Sequence, residues 1–327
     1  MSATQNDAHC RQGTPSMPTA AKRNGIRDAK RTPGSRGRLR RREHWTGFAL
    51  CLPAWALLCA LYLAPIIVLA LLSVTDYEMG AVRWKVVGLD NYRHAFSDPV
   101  FRRSLANTLL YMGLVVPLSV AGGLFIALLV HARGASRAFY EVIYFLPVTA
   151  TLVAMATVWQ FLLHPTLGPF NHLLDLAGLG RHNFLNQPGL MLPTLAAIGI
   201  WQLLGFNMIL FLSRLSQIPQ SLYDAAAIDG ASHAVDRFLC VTLPLLGPTL
   251  LFVIVTSSIT AFKIFDTVAV LTQGRHGSEV LLYDIYLEGF TYSRTGYAAA
   301  LTVIFLALIL LLSVWQTRQL DKKVHYA

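Results

Sequence analysis

The stretch YDAAAIDGASHAVDRFLCVTLP (residues 223–244) is a charged, alanine-rich segment that lies between two long apolar runs. Asp224, Asp229 and Asp236 could enter hydrocarbon only at a large free-energy cost, so this segment must lie in water. The apolar runs on either side would hold it against a membrane surface. A polar segment in that position is suited to docking another protein rather than to forming a catalytic pocket.

The pattern within the segment predicts a helix, a break and a second helix. Pro219 and Ser221 are helix start signals, and residues 224–228 favour a helix. Gly230 can adopt the positive φ of a turn, and Pro244 is expected to end the second helix. The sequence therefore predicts a short helical hairpin on one face of a membrane.

The same segment resembles the EAA loop of the permease subunits of binding-protein-dependent ABC importers. The family pattern is Glu-Ala-Ala, then Asp-Gly-Ala, an aromatic residue, a β-branched residue and Leu-Pro. This chain matches it at Asp224, Ala225, Ala226, Asp229, Gly230, Ala231, Phe238, Val241, Leu243 and Pro244. Asp224 stands where the family usually has Glu, which keeps the charge on a shorter side chain. The resemblance implies that residues 214–244 form a cytoplasmic loop that couples the chain to a separate ATPase.

Composition independently indicates a membrane protein, with 13% charged residues, 54% apolar residues and a mean hydropathy of +0.50. A helix needs about 20 apolar residues to cross the hydrocarbon core, where every backbone polar group must be satisfied internally. Six apolar stretches reach that length, the fifth being charge-free up to residue 262. They are residues 48–72, 104–130, 142–163, 190–212, 243–272 and 295–317. We therefore expect an all-α polytopic membrane protein with six transmembrane helices in a permease domain of residues 45–320.

The distribution of basic residues predicts the orientation of these spans. Residues 1–44 hold 11 of the 27 basic residues and 3 of the 17 acidic ones, whereas the remaining basic residues divide almost equally between the two sides. The tail therefore decides, and both termini, including residues 321–327, are expected to be cytoplasmic. Residues 1–44 contain too few large apolar side chains to fold. Their arginine run at residues 36–42 is better explained by contact with anionic lipid than with nucleic acid.

The resemblance extends over residues 45–320. VGLDNYRHAFSDPVFRRSLANTLLY (87–111), YEVIYFLPV (140–148) and FDTVAVLTQG (265–274) are similar to segments of the first permease of carbohydrate importers of the maltose and glycerol-phosphate type. The resemblance implies a type I ABC importer permease fold and translocation of a carbohydrate or related polyol across the inner membrane by alternating access. After Thr272 the chain departs from the usual Gly-Gly-Pro, with Arg275 and His276 following Gly274.

That departure leaves the substrate subclass open. A phosphorylated polyol such as glycerol phosphate, or another small polar solute, is the alternative within this class. A membrane scaffold or a membrane-embedded enzyme would explain the hydrophobicity but not the EAA-like loop.

The chain lacks the G-x-x-x-x-G-K-[ST] phosphate loop and any nucleophile or paired-carboxylate motif, so we expect a transport subunit rather than an enzyme. His164, His172 and His182 are not spaced as metal ligands, and we expect no metal or cofactor in this subunit. The resemblance implies that ATP and Mg²⁺ bind a cytoplasmic ATPase dimer. It also implies a second homologous permease and an extracytoplasmic solute-binding protein as partners.

Polar residues within the spans are candidates for the substrate pathway. Lys263 and Asp266 lie three residues apart near the outer end of the fifth span, so a continuous helix would place them on one face. They could neutralise each other, with Lys263 reaching towards the interface, or contact a hydroxylated solute.

Two further helix faces correspond to the solute-facing surfaces of maltose-type permeases. One contains Ser257, Thr260, Ala261 and Ile264, and the other contains Trp201, Gly205 and Met208. Only Gly205 and Ser257 match that permease in residue type. For these small residues, close packing of membrane helices is the competing explanation.

Overall fold

A computed structural model describes Phe48, residues 50–134 and residues 136–321, without the side chains of residues 320 and 321. The predicted tail of residues 1–44 and the predicted tail after residue 321 lie outside the described residues. Within the described part the chain is helical and contains no strand, apart from an isolated antiparallel bridge between Thr75 and Val86. The predicted all-α class is confirmed.

The helices follow the apolar stretches closely. In chain order they are α1 (Leu50–Leu72), α2 (Asp90–Ser97), α3 (Pro99–His131), α4 (Arg137–Thr149), α5 (Leu152–Leu162), α6 (Pro169–Leu176), α7 (Met191–Leu215), α8 (Gln220–Ile228), α9 (Ala234–Leu245), α10 (Gly247–Phe262), α11 (Leu281–Tyr286) and α12 (Thr295–Asp321). Short π-helical turns occupy Val268–Thr272 and Leu287–Thr291. In the described residues, α1, α3, α7 and α12 are each long and apolar enough to cross a membrane, and two bent pairs raise the number to six if each pair is one span.

The predicted third span, residues 142–163, is not one helix. It consists of α4 and α5, which meet at an angle of 99°. Ala150 and Thr151 have extended backbones with ψ of 144° and 139°, so the hydrogen-bonded ladder stops between the two helices. Pro147 lies in the last turn of α4 and removes one backbone donor there.

The predicted fifth span, residues 243–272, is interrupted twice. α9 continues one residue past Pro244 and then bends by 69° into α10 at Leu246. Pro244 and Pro248 flank this bend, and each lacks the N–H that would continue the helix. The second interruption follows Phe262 and bears on the candidate pathway.

The core lies where α3, α7 and α10 pack together. Contacts divide the chain into residues 1–61 and 62–327, and this core belongs to the second unit. Val115, Leu195, Met208 and Phe211 are fully buried in it. A second buried cluster joins α3, the end of α10, α11 and α12; it includes Phe101, Phe262, Leu281, Leu301 and Phe305.

Candidate functional site

The predicted hairpin consists of α8 and α9, and its turn is built on Gly230, whose φ is +99°. The N–H of Gly230 donates to the carbonyl of Ala227 at 3.3 Å, and the N–H of Ala231 donates to that of Ala226 at 2.9 Å. This pair of bonds is a Schellman motif, which satisfies the last carbonyls of a helix. The positive φ predicted for Gly230 is confirmed.

The hairpin presents a mixed polar and apolar surface to solvent. Asp224, Ala225, Asp229, Gly230 and Pro244 are exposed, whereas Ala226, Ala231 and Phe238 are half-buried. Ile228 and Val235 are also exposed, by 87% and 65%, although both are large apolar residues. Exposed apolar residues grouped in this way are typical of a protein-binding surface. The sequence interpretation missed these two residues, which were visible as apolar positions within a polar loop.

Hydrogen bonds brace the hairpin against itself and against the spans. The hydroxyls of Tyr223 and Thr242 are 3.1 Å apart and connect α8 with α9. Arg237 Nη2 donates to the carbonyl of Ser232 at 2.9 Å, across the turn. At the end of α7, Arg214 Nε donates to the carbonyl of Leu245 at 3.3 Å, next to the bend into α10. A force on the hairpin is therefore transmitted directly to α7 and α10.

A cavity of about 260 Å³ lies at the end of α10 that is farther from the hairpin. It is lined by Tyr111, Leu152, Gly199, Gln202, Leu203, Ile259, Thr260, Ala261, Lys263, Ile264, Phe265, Asp266 and Thr267. The residues come from α3, α5, α7 and the segment around the end of α10. The cavity combines apolar walls with convergent polar groups, as small-molecule sites do.

Lys263 and Asp266 line this cavity without sharing a continuous helix, so that part of the sequence prediction is wrong. α10 ends at Phe262, Lys263 has a non-helical ψ of 18°, and helical structure resumes only at Asp266. Within the described residues no ion pair joins the two side chains. Because the chain opens here, both charged groups face the same space as Phe265.

The structure divides the other predicted pathway residues into two groups. Thr260, Ala261 and Ile264 line the cavity, whereas Trp201, Gly205, Met208 and Ser257 do not. Trp201 is 38% exposed and packs edge-to-face against Trp159, with ring centroids 5.5 Å apart.

Gly205 allows α7 to approach α4 closely. A Cβ at this position would overlap the carbonyl of Tyr144. Met208 is fully buried in the core beside it. Both positions have the properties of packing contacts between membrane helices.

Ser257 takes part in a buried polar connection between three helices. Its hydroxyl donates to Asn207 Oδ1 at 3.1 Å, and Asn207 Nδ2 donates to Ser119 Oγ at 3.4 Å. All three side chains are almost fully buried. Asn207 was missed at the sequence stage of reasoning; an amide within an apolar span was the available signal.

A second group that the sequence interpretation missed lies between the last two spans. Asp284 is 4% exposed, and Ser104 Oγ donates to its Oδ2 at 3.4 Å. Burial raises the pKa of Asp284 to about 7, and the carboxylates of Glu288 and Asp98 add to this rise. Burial also raises the pKa of Glu288, against the opposing effect of Arg294. The segment LLYDIY, an acid among apolar residues, carried the signal for this buried carboxyl.

These features can be compared with known proteins. The family described as the binding-protein-dependent transport system inner membrane component matches residues 119–326. The chain belongs to this family. It is therefore the permease subunit of an ABC importer, a transport component of the inner membrane rather than an enzyme.

Curated relatives match along most of the chain. The sn-glycerol-3-phosphate transport system permease protein UgpA of Pectobacterium atrosepticum is 31% identical over 290 residues, which cover 87% of this chain and 97% of that protein. The probable ABC transporter permease protein YesP of Bacillus subtilis is 32% identical over 294 residues, covering 88% and 94%. Both are named as permeases.

Solved structures support the fold. A permease chain from a bacterial ABC transporter involved in the import of the acidic polysaccharide alginate superposes with a TM-score of 0.77 and 24% identity, covering 88% of this chain and 99% of that chain. A second structure of the alginate transporter contains an alginate pentasaccharide-bound periplasmic protein and gives a TM-score of 0.75 at 24% identity. The predicted permease fold is confirmed.

Proposed function

We propose that this permease translocates a carbohydrate or related polyol by alternating access through the cavity at the end of α10. The observation that carries the proposal is the break after Phe262, which turns Lys263 and Asp266 into a space also bordered by Thr260 and Gln202. Charged groups within membrane segments are costly and commonly mark substrate pathways. Hydroxyl, amide and charged side chains together can replace the hydration of a polyhydroxylated solute.

A phosphorylated polyol is the second candidate substrate. Lys263 supports it, because no carboxylate among the described residues forms an ion pair with this ammonium group. The relatives named for sn-glycerol-3-phosphate transport are consistent with an anionic solute. Asp266 in the same cavity would oppose it, and this opposition favours a neutral solute.

Uptake by the assembled importer in proteoliposomes distinguishes the two candidates. The probes are neutral mono-, di- and trisaccharides and sn-glycerol 3-phosphate, each presented with the solute-binding protein. A neutral solute predicts that Lys263→Gln and Asp266→Asn both lower saccharide uptake. An anionic solute predicts that Lys263→Gln alone abolishes uptake of the phosphate ester. Lys85→Gln, an exposed lysine elsewhere, is the matched control; effects no larger than this control would contradict the cavity assignment.

The hairpin is proposed to couple this cavity to ATP hydrolysis in a partner. We expect a second homologous permease, a cytoplasmic ATPase dimer that binds ATP and Mg²⁺, and an extracytoplasmic solute-binding protein. Asp224 and Ile228 are exposed for the ATPase, and the bond from Arg214 to Leu245 joins the hairpin to α7. Closure of the ATPase would then move the hairpin as a rigid body and change which side of the membrane the cavity faces.

Six spans with cytoplasmic termini complete the proposal, each bent helix pair counting as one span. Single cysteines at Ala327 and Leu179 test it in a chain whose 4 native cysteines are replaced. A membrane-impermeant thiol reagent should label Leu179→Cys in intact cells, because Leu179 is 64% exposed in a predicted outer loop. Ala327→Cys should react only after permeabilisation, and labelling in intact cells would reverse the topology.

A further inference from the structure

Four aromatic side chains form a continuous series that begins at the cavity. We call Phe265, Tyr283, Tyr286 and Phe290 the aromatic ladder. The ring centroids of Phe265 and Tyr286 are 5.3 Å apart, and those of Tyr286 and Phe290 are 5.5 Å apart. Tyr283 lies beside the first two rings, at 6.1 Å from Phe265 and 6.2 Å from Tyr286. Each ring is thus in contact distance of another.

Exposure increases along the ladder. Phe265 lines the cavity, Tyr283 is 7% exposed, Tyr286 is 41% exposed and Phe290 is 71% exposed. The last three rings project from α11 and the π-helical turn that follows it, which keeps their stacked faces in one row. The ladder therefore connects a polar cavity with the molecular surface by aromatic contacts alone.

The ladder also offers hydrogen-bonding groups. Among the described residues, neither the Tyr283 hydroxyl nor the Tyr286 hydroxyl has a hydrogen-bond partner. At the foot of the ladder, Lys263 and Asp266 border the cavity on either side of Phe265 in sequence. Aromatic faces flanked by free polar groups suit a ligand that has both an apolar face and a hydroxylated rim.

We propose that the aromatic ladder binds the pyranose rings of a carbohydrate and passes them from the outer surface into the cavity. This inference rests on the proposed carbohydrate function and adds a binding track to it. A pyranose ring presents axial C–H groups that stack on an aromatic face, while its equatorial hydroxyls point sideways to donors and acceptors. The spacing of 5.3 to 5.5 Å between successive rings is close to the repeat of a saccharide chain, so neighbouring units can be held at once.

Two other occupants would leave the same rings exposed. Tyrosines and other aromatic residues often lie singly at the lipid interface, where they anchor a span. The second permease could also cover the ladder. Continuity with the cavity and the free hydroxyls favour the saccharide, and the experiment separates the three outcomes.

The test measures uptake kinetics of the complete importer with its binding protein in proteoliposomes. The probes are the mono-, di- and trisaccharides used above and sn-glycerol 3-phosphate, and the variants are Phe290→Ala, Tyr286→Ala and Tyr286→Phe. Loss of one stacking ring should raise KM for a carried trisaccharide by roughly fivefold to tenfold. The effect on a monosaccharide should be smaller, and kcat should change by less than about twofold, because the cavity is intact. Tyr286→Phe should give an intermediate KM, since it keeps the ring.

Trp84→Ala is the matched control, because Trp84 is 57% exposed on another predicted outer segment. Saccharide uptake with unchanged KM in all ladder variants overturns the ladder and leaves the carbohydrate function standing. Lower insertion with unchanged KM, in the control as well, indicates an interfacial belt and overturns the ladder. Loss of the second permease from purified variants indicates a subunit contact and overturns it too. Uptake of none of the saccharides overturns both proposals.

Discussion

The hairpin of α8 and α9 and the segment after α10 respond differently to their own sequences. In the hairpin, Gly230 adopts the positive φ expected of it, and its two capping bonds span only a few residues. After α10, a continuous helix was expected, yet the chain opens after Phe262. Phe262 packs with Phe305 in the second core cluster, whereas Ile264 and Val268 belong to the first. Opening the helix lets neighbouring residues reach both clusters, which no local signal encodes.

The largest effect is expected at the hairpin. Asp224→Lys or Gly230→Asp should leave the spans inserted but release the ATPase, because charge complementarity or the positive-φ turn is lost. Loss of a buried interfacial charge pair costs about 2–5 kcal/mol, or roughly thirtyfold or more in affinity. Co-purification of the ATPase and solute-stimulated ATP hydrolysis measure this. Asp224→Glu, the residue usual in the family, is the control, and normal coupling in the first two variants would show that local structure here does not serve docking.

A second prediction tests whether Gly205 follows the hairpin, as a local feature, or the tertiary packing. Gly205→Leu should reduce both uptake and assembly, because the added side chain overlaps the Tyr144 carbonyl. Overpacking of this kind typically costs about 1–3 kcal/mol. The measurement is the apparent melting temperature of the purified importer. Gly113→Ala in α3, where a Cβ meets no atom within 4 Å, should have little effect. A normal melting temperature with impaired uptake would instead support the pathway role predicted for Gly205.

The third prediction concerns the connection of Ser119, Asn207 and Ser257. Asn207→Ala should destabilise the importer by about 0.6–1.7 kcal/mol, the range of hydrogen bonds between membrane helices. Ser257→Ala should add little in the double variant, since both changes remove the same bond. Thr256→Ala is the control because its hydroxyl bonds only within α10. Additive losses in the double variant would show that the two side chains are not coupled.

The smallest effect is expected at Asp284. Its carboxyl has an ordinary pKa of 3.8 and a pKa of about 7 in the folded chain, so the folded state holds an extra proton between these values. Stability should fall as the pH rises through this interval and level off above about pH 7. Asp284→Asn should flatten the dependence of the melting temperature on pH. Asp90→Asn, at an exposed carboxyl, should preserve it, and equal slopes in wild type and Asp284→Asn would contradict the assignment.

Prediction from sequence succeeded where a pattern repeats over many residues or acts over a few. The apolar runs located α1, α3, α7 and α12, because hydrocarbon requires long apolar helices. It failed for residues whose partners are distant in the chain. Asn207 bonds to Ser119 and Ser257, and Asp284 to Ser104, at separations from 50 to 180 residues.

The sequence by itself determined the membrane class, the family and the hairpin, since each depends on composition, spacing or backbone preference within a short segment. Only the tertiary structure decided the bends at Thr151 and Leu246, the cavity beside Lys263 and the row of rings from Phe265 to Phe290. The physical reason is packing. A membrane helix is apolar on all sides, so its sequence does not indicate which face meets another helix or where the helix must open to let two neighbours fit.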